Sequence, residues 1–260
     1  MSSVALKETG KSTGRSVREQ VSPEEWQARV DLAAAYRLVA LHGWDDLIFT
    51  HISARVPNSD HHFLINPYGY LFEEITASSL VKVDLDGNIL NETDYFINPA
   101  GYTIHSAVHA VREDAGCVLH LHTDAGVGVS CHESGLLPIT QNALTVIEDV
   151  AYHAYEGIAL NLDERERLQR DLGTKNMMIL RNHGTMAVGT TVAEAWTRIF
   201  FLERACAQQV AALAGGKYVV PPDSVQQTTM EQGRGLPMLA PLCWAGLMRK
   251  LDRVDPSFRD

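Results

Sequence analysis

The chain has 260 residues, enough to bury one large core, and its 45% hydrophobic and 21% charged residues argue against disorder and fibrous architectures. Its formal charge of 22 − 32 = −10 and sequence pI near 5.5 argue against nucleic acid and anionic membrane surfaces as partners. No apolar run reaches the length of a membrane span and Met1–Gln20 has no signal-type stretch, so a cytoplasmic chain is expected.

Residues 1–21, rich in Ser, Thr, Gly, Lys and Arg without apolar periodicity, read as a flexible N-terminal tail. Ser22-Pro23-Glu24-Glu25 then starts a helix, with Ser22 as cap, Pro23 in the first turn and Glu25 completing a capping box, and that helix ends at Gly43. From Ile48 to Val83 the segments ISARV, HFLIN and LVKVDL read as short strands, with a turn at Asp86-Gly87. A helix is predicted over Tyr102–Arg112, a buried strand over Gly116–His122, a helix over Asp163–Leu172 and strands over Asn176–Leu180 and Thr185–Val188. A long helix follows from Val192 to Leu213, opened by Thr191 and Glu194 and closed by Gly215-Gly216, and a last one covers Pro241–Leu251. Strands alternating with helices give an α/β class, with one domain over 22–220 and a C-terminal helical extension over 221–260. Cys117, Cys131, Cys206 and Cys243 are widely spaced and read as buried thiols rather than ligands or disulfides.

His120-Leu121-His122 places two imidazoles on one face of the predicted strand, where both reach one ion. His183, in RNHGTMAVG, lies at a strand end, and Gly184 lets the backbone pass close to it. Imidazole suits zinc, iron, copper or nickel more than calcium or magnesium. A lone His reads better as a core residue bonded to backbone; the same-face pair with a third His at a strand end suggests a metal site. Glu73 and Glu74 read as solvated turn residues, His61 and His62 likewise, and Tyr152, His153 and Tyr155 as secondary candidates for a pocket edge.

The segments HISARVP, FLINPYGYLFEEITASSLVKVDLDG, AGYTIHSAVHAVREDAGCVLHLHT and ILRNHGTMAVG, in this order over roughly residues 25–220, resemble the class II aldolase/adducin family. The resemblance implies a three-layer α/β/α fold around a mixed, mainly antiparallel sheet, and a homotetramer with sites near subunit interfaces. It implies one divalent ion per subunit on His120, His122 and His183, zinc first, with manganese, iron or cobalt as alternatives. The family's aldolases carry a Glu in an S-E-W-P-x-H segment, whereas this chain has Ala100-Gly101-Tyr102-Thr103-Ile104-His105, a version resembling the adducin branch. Gly101 has no side chain to move a proton, and His105, one helical turn on, is the substitute expected for catalysis; His109 reads as surface or packing. The aldolases' phosphate-holding G-N-x-S segment appears as Thr50-His51-Ile52-Ser53, so a substrate without phosphate is expected, with His51, Ser53 and Asn66 as candidate contacts.

The function these residues imply is a metal-dependent lyase-type enzyme acting by aldol cleavage, decarboxylation or enolisation on a small carbonyl or hydroxy-acid substrate. Two alternatives stand beside it: a non-haem iron oxygenase on the same scaffold, and a non-catalytic, adducin-like binding protein. Adducins add a long tail with a basic end, whereas RKLDRVDPSFRD at the end of this chain has no basic cluster, so filament binding is not expected; that segment reads equally as a cover over a neighbouring subunit's site or as an ordinary surface helix and tail, with no catalytic role.

Overall fold

The computed structural model describes residues 16–59, 61–158 and 163–260, and of residues 99–102 the backbone alone. Residues 1–15, most of the expected tail, lie outside the described residues, and Val17–Gln20 (α1) is a short helix rather than irregular chain. Ser22 caps α2 (Pro23–Leu41) by accepting the Glu25 amide, but Glu25 does not complete a capping box. Its carboxylate turns inward to Arg29 and Lys82, because the Arg29 guanidinium is fully buried and needs a counter-charge.

Seven strands form one mixed sheet: β1 (His51–Arg55), β2 (Phe63–Ile65), β3 (Val81–Val83), β4 (Cys117–Leu121), β5 (Val150–His153), β6 (Met177–Leu180) and β7 (Gly184–Gly189). Their spatial order is β3-β2-β1-β4-β7-β6-β5, antiparallel throughout except for the parallel β5–β6 pair. The remaining main helices are α3 (Pro99–Val111), α4 (Asp124–Ser130), α5 (Gln141–Val146), α6 (Glu164–Leu172), α7 (Val192–Ala214), α8 (Asp223–Gly233) and α9 (Ala240–Val254). Strand alternation sorts the core. Ile52, Ala54, Leu119, Leu121 and Ala187 face α2 and α7, while Val118, Met186 and Val188 face the opposite side, where α3 and α6 pack. Helices on both faces of a mixed sheet make the expected three-layer α/β/α architecture.

The same alternation carries the functional residues. His51 and Ser53 of β1, with His120 of β4, take the phase opposite to Ile52, Ala54 and Leu119, so they lie on the α3 side of the sheet. His51 pairs with His120 across the β1–β4 ladder, about 5 Å apart at Cα.

The C-terminal segment departs from a plain surface helix and tail. Phe258 is fully buried, the backbone of Ala77 and Ser78 donates to the carbonyls of Phe258 and Asp260, and Trp244 of α9 donates its indole N–H to Asp31 of α2. Among the described residues no helix is long and apolar enough to cross a membrane. Of the four cysteines, Cys117 and Cys206 are buried as expected, whereas Cys131 and Cys243 are exposed; all are free thiols.

Candidate metal centre

His120, His122 and His183 converge where β4 ends and the chain turns from β6 into β7. One nitrogen from each lies within 4.8 Å of the others, and His183's ring centroid is 4.8 Å from both partners. His122 stands one residue beyond the strand, yet keeps the phase of His120. Gly184 makes the approach possible, since a Cβ there would sit 2.3 Å from the Leu121 carbonyl oxygen and 3.1 Å from the His122 ring.

Hydrogen bonds fix the ring orientation of the first pair. His120 Nδ1 donates to the Thr185 carbonyl at 2.9 Å, and His122 Nδ1 donates to the Asp46 carboxylate at 3.0 Å. With Nδ1 carrying the proton, Nε2 of each neutral ring is a bare acceptor. Those two Nε2 atoms face each other at 2.9 Å. Two lone pairs at that distance repel unless a cation satisfies them. A proton serves two nitrogens; the third imidazole converging on the same point fits an ion of higher coordination number. Burial first, and then the neighbouring rings, hold His120 well below the ordinary imidazole range and His183 at about 4, so both favour the uncharged form that binds metal.

A cavity of 230 Å³ opens on this cluster, with Phe49, Ile104 and Ile158 supplying its apolar wall. Among the described residues no Lys or Arg lines it. Thr50 and His51 do, and they bring polar atoms that no protein group satisfies: Thr50 Oγ1 and both His51 ring nitrogens are buried without a hydrogen-bond partner. Thr50 adopts φ 67°, a left-handed conformation costly for a β-branched residue, which bends the chain into β1 beside the cavity.

Behind His51 lies a second histidine cluster. Ser53 Oγ is 2.7 Å from both His105 Nδ1 and His109 Nε2, and His109 Nδ1 donates to the Ala115 carbonyl. That last bond sets the direction of the chain: Ser53 donates to His109, and His105 donates to Ser53, which leaves the buried His105 Nε2 bare. Burial pushes His109 down to about 3, from a value of 6.5 when exposed. The unfolded chain therefore binds a proton that the folded chain refuses, and stability present above pH 6.5 is lost as pH falls from there toward 3, at about 1.4 kcal/mol per unit of difference. The melting temperature is expected to fall between pH 7 and 5, as the unfolded chain begins to take up the proton that folded His109 refuses, and to fall less in His109→Gln. Equal slopes in calorimetry would remove His109 as an acid-sensitive group.

The sheet and the imidazole cluster together define an aldolase-like α/β protein. Residues 30–210 match the family model of the class II aldolase and adducin N-terminal domain. The crystal structure of an aldolase II superfamily protein from Pseudomonas syringae is 52% identical, covers 95% of this chain and 100% of its own, and superposes with a TM-score of 0.92. An L-fuculose 1-phosphate aldolase from Glaciozyma antarctica PI12 is 26% identical, covers 96% of this chain and 97% of its own, and gives a TM-score of 0.80. Alpha-adducin of Mus musculus is 50% identical over 189 residues, which are 72% of this chain and 26% of that protein. This chain belongs to the class II aldolase/adducin family.

The structure thus brings together His120, His122, His183 and His51 at one cavity. The other expected contacts stand apart from it. His105 is fully buried behind His51 and does not line the cavity; Ser53 turns toward His105 and His109; Asn66 is bonded to the Tyr36 hydroxyl. His109 packs on Phe63, ring against ring, rather than facing solvent. Glu73 and Glu74 lie exposed in a short 3-10 turn. Of the aromatic candidates, Tyr155 lines the cavity, Tyr152 accepts the Leu136 amide, and His153 binds Asp171. Asp46 was not foreseen, because nothing local distinguishes it from Asp45. Glu203 was not foreseen either, although an acid on the apolar stripe of α7 was a usable signal: it is 2% exposed, burial raises its pKa, and it accepts hydrogen bonds from Thr123 and Thr185.

Proposed function

We propose that this chain is a divalent-metal lyase-type enzyme, in which His120, His122 and His183 hold one ion and a small carbonyl or hydroxy-acid substrate without phosphate occupies the adjoining cavity. The observation that carries the reading is the facing pair of bare Nε2 atoms with a third imidazole converging on them. An ion bound there supplies Lewis acidity toward a substrate carbonyl oxygen.

The chain's own groups divide the remaining work. Asp46 and the Thr185 carbonyl hold the two ligand rings in the tautomer that turns Nε2 to the cavity. His51 presents an N–H to a substrate oxygen beside the ion, taking the place first given to His105, which the wall of the cavity hides. Phe49, Ile104 and Ile158 limit water around the reacting bond. The cavity's lack of Lys and Arg among its described residues supports a substrate without phosphate, in contrast to what the name of the Glaciozyma enzyme says of that protein. Zinc as the first choice of ion, a homotetramer and a cytoplasmic setting complete the proposal.

A binding protein without turnover is the second reading, favoured by the identity to alpha-adducin and by Gly101 at the family's Glu position. Elemental analysis of the purified chain, followed by a screen of aldehydes, keto acids and hydroxy acids with the ion found, separates the two. Metal near one per chain with substrate-dependent cleavage or decarboxylation supports the enzyme. Metal without turnover on any of these supports the binding protein, and iron with oxygen uptake would redirect the reading to oxygenation.

A further inference from the structure

The ligand imidazoles approach the cavity from one face of the sheet, and the opposite face carries a buried acid that does not line the cavity. Glu203 lies on the inner stripe of α7 among Ile199, Leu202 and Cys206. Both of its carboxylate oxygens are used, Oε2 by the Thr123 hydroxyl and Oε1 by the Thr185 hydroxyl. Thr123 directly follows His122, and its oxygen also accepts the Gly126 amide at 2.9 Å, which caps α4. Thr185 lies two residues after His183 and pairs with Leu121 across the β4–β7 ladder, and its carbonyl is the acceptor that orients His120. The packing leaves the acid no slack: a Cβ on Gly126 would stand 2.9 Å from Glu203 Oε1.

We propose that Glu203 is a positioning residue of the metal centre: by binding Thr123 and Thr185 at once, it fixes the chain after His122 against the chain after His183 and sets the spacing of all three imidazoles. The inference rests on the metal reading given under Proposed function. A buried acid is a poor choice for stability alone, because an apolar side chain of similar volume fills such a position without the cost of desolvating charge. Two hydroxyl donors of fixed direction instead give a rigid brace, of the kind that holds metal ligands to their geometry from behind.

The test is titration of the full-length, metal-stripped chain with Co(II), whose visible absorption reports coordination geometry, beside the melting temperature of each metal-free variant. Thr185→Ser keeps the hydroxyl and is expected to match the wild type in affinity and spectrum. Thr185→Val keeps the shape without the donor, and Glu203→Gln removes one acceptor; each is expected to weaken Co(II) by about tenfold and to shift the spectrum. Wild-type affinity and spectrum in a folded Thr185→Val would overturn the proposal, and that pair of threonine variants decides it even where Glu203→Gln fails to fold. A wild type that takes up no Co(II) would sink the metal reading and this inference with it, an outcome distinct from uptake that the variants leave unchanged.

Discussion

His122→Ala is expected to lose the metal that the wild type carries. His122 is the ligand to remove first because its surroundings tolerate the change. It is half-buried, sits one residue beyond β4, and leaves behind only Asp46, a half-buried acid that water reaches. His120 is different: it is 2% exposed and ties β4 to β7 through the Thr185 carbonyl, so its loss would confound folding with binding. With His122 gone, one of the two facing Nε2 atoms disappears and the ion keeps two protein nitrogens. Affinity is expected to fall by more than about a hundredfold, beyond what losing an outer hydrogen-bond partner costs. Asp46→Asn, which keeps the ligand but weakens its orientation, is expected to lie between the wild type and His122→Ala. Metal content measured by elemental analysis after identical purification reads both. An ion retained at full stoichiometry in His122→Ala would place the metal elsewhere in the chain.

The parts of the fold that local pattern could reveal are those where periodicity and chemistry agree. The α2 start at Ser22, the strand that leads into HLH and the long α7 behind Thr191 each carry a cap or an alternation that no neighbouring element had to supply. β5 is the opposite case. Val150–His153 is short and without alternation, and becomes a strand because β6 offers it a parallel edge. α4 holds two glycines in DAGVGVS and draws its helical state from the Thr123 cap and from packing under α7, neither visible in propensity. α8 is polar along its length and buries only Gly233, which lets it press against the backbone of Thr145.

The site divides in the same way. A same-face pair on one strand is written into neighbouring residues, so His120 and His122 are legible; His183 stands out at a strand end before Gly184, and the family motifs tie it to the pair. Which histidine faces the cavity is not legible. His105 and His51 sit on different elements, and only the packing of α3 on β1 puts His105 behind and His51 in front. Asp46 reaches His122 from 76 residues before it and Glu203 reaches Thr185 from 18 residues after it; the apolar stripe of α7 marks Glu203 as unusual, but no local pattern says which residues either acid meets.

His51→Leu is expected to keep the metal and lose the reaction. Leucine fills the space of the ring but presents no polar atom, and His51 makes no protein hydrogen bond whose loss would disturb the fold. Burial holds His51 at about 3, so at neutral pH it is an uncharged ring with one N–H. Such a ring stabilises charge growing on a substrate oxygen by donating a hydrogen bond without bringing a full positive charge next to a divalent ion. A donor aimed at a developing oxyanion is worth about a hundredfold or more in kcat, and a drop of that size with unchanged metal content is the expected result once a substrate is in hand. His51→Asn, which restores an N–H on a shorter side chain, is expected to recover part of kcat, whereas a role in packing alone predicts that Leu and Asn behave alike. Unchanged kcat in His51→Leu would return the search to Tyr155, the other polar side chain on this wall with a ring near His183.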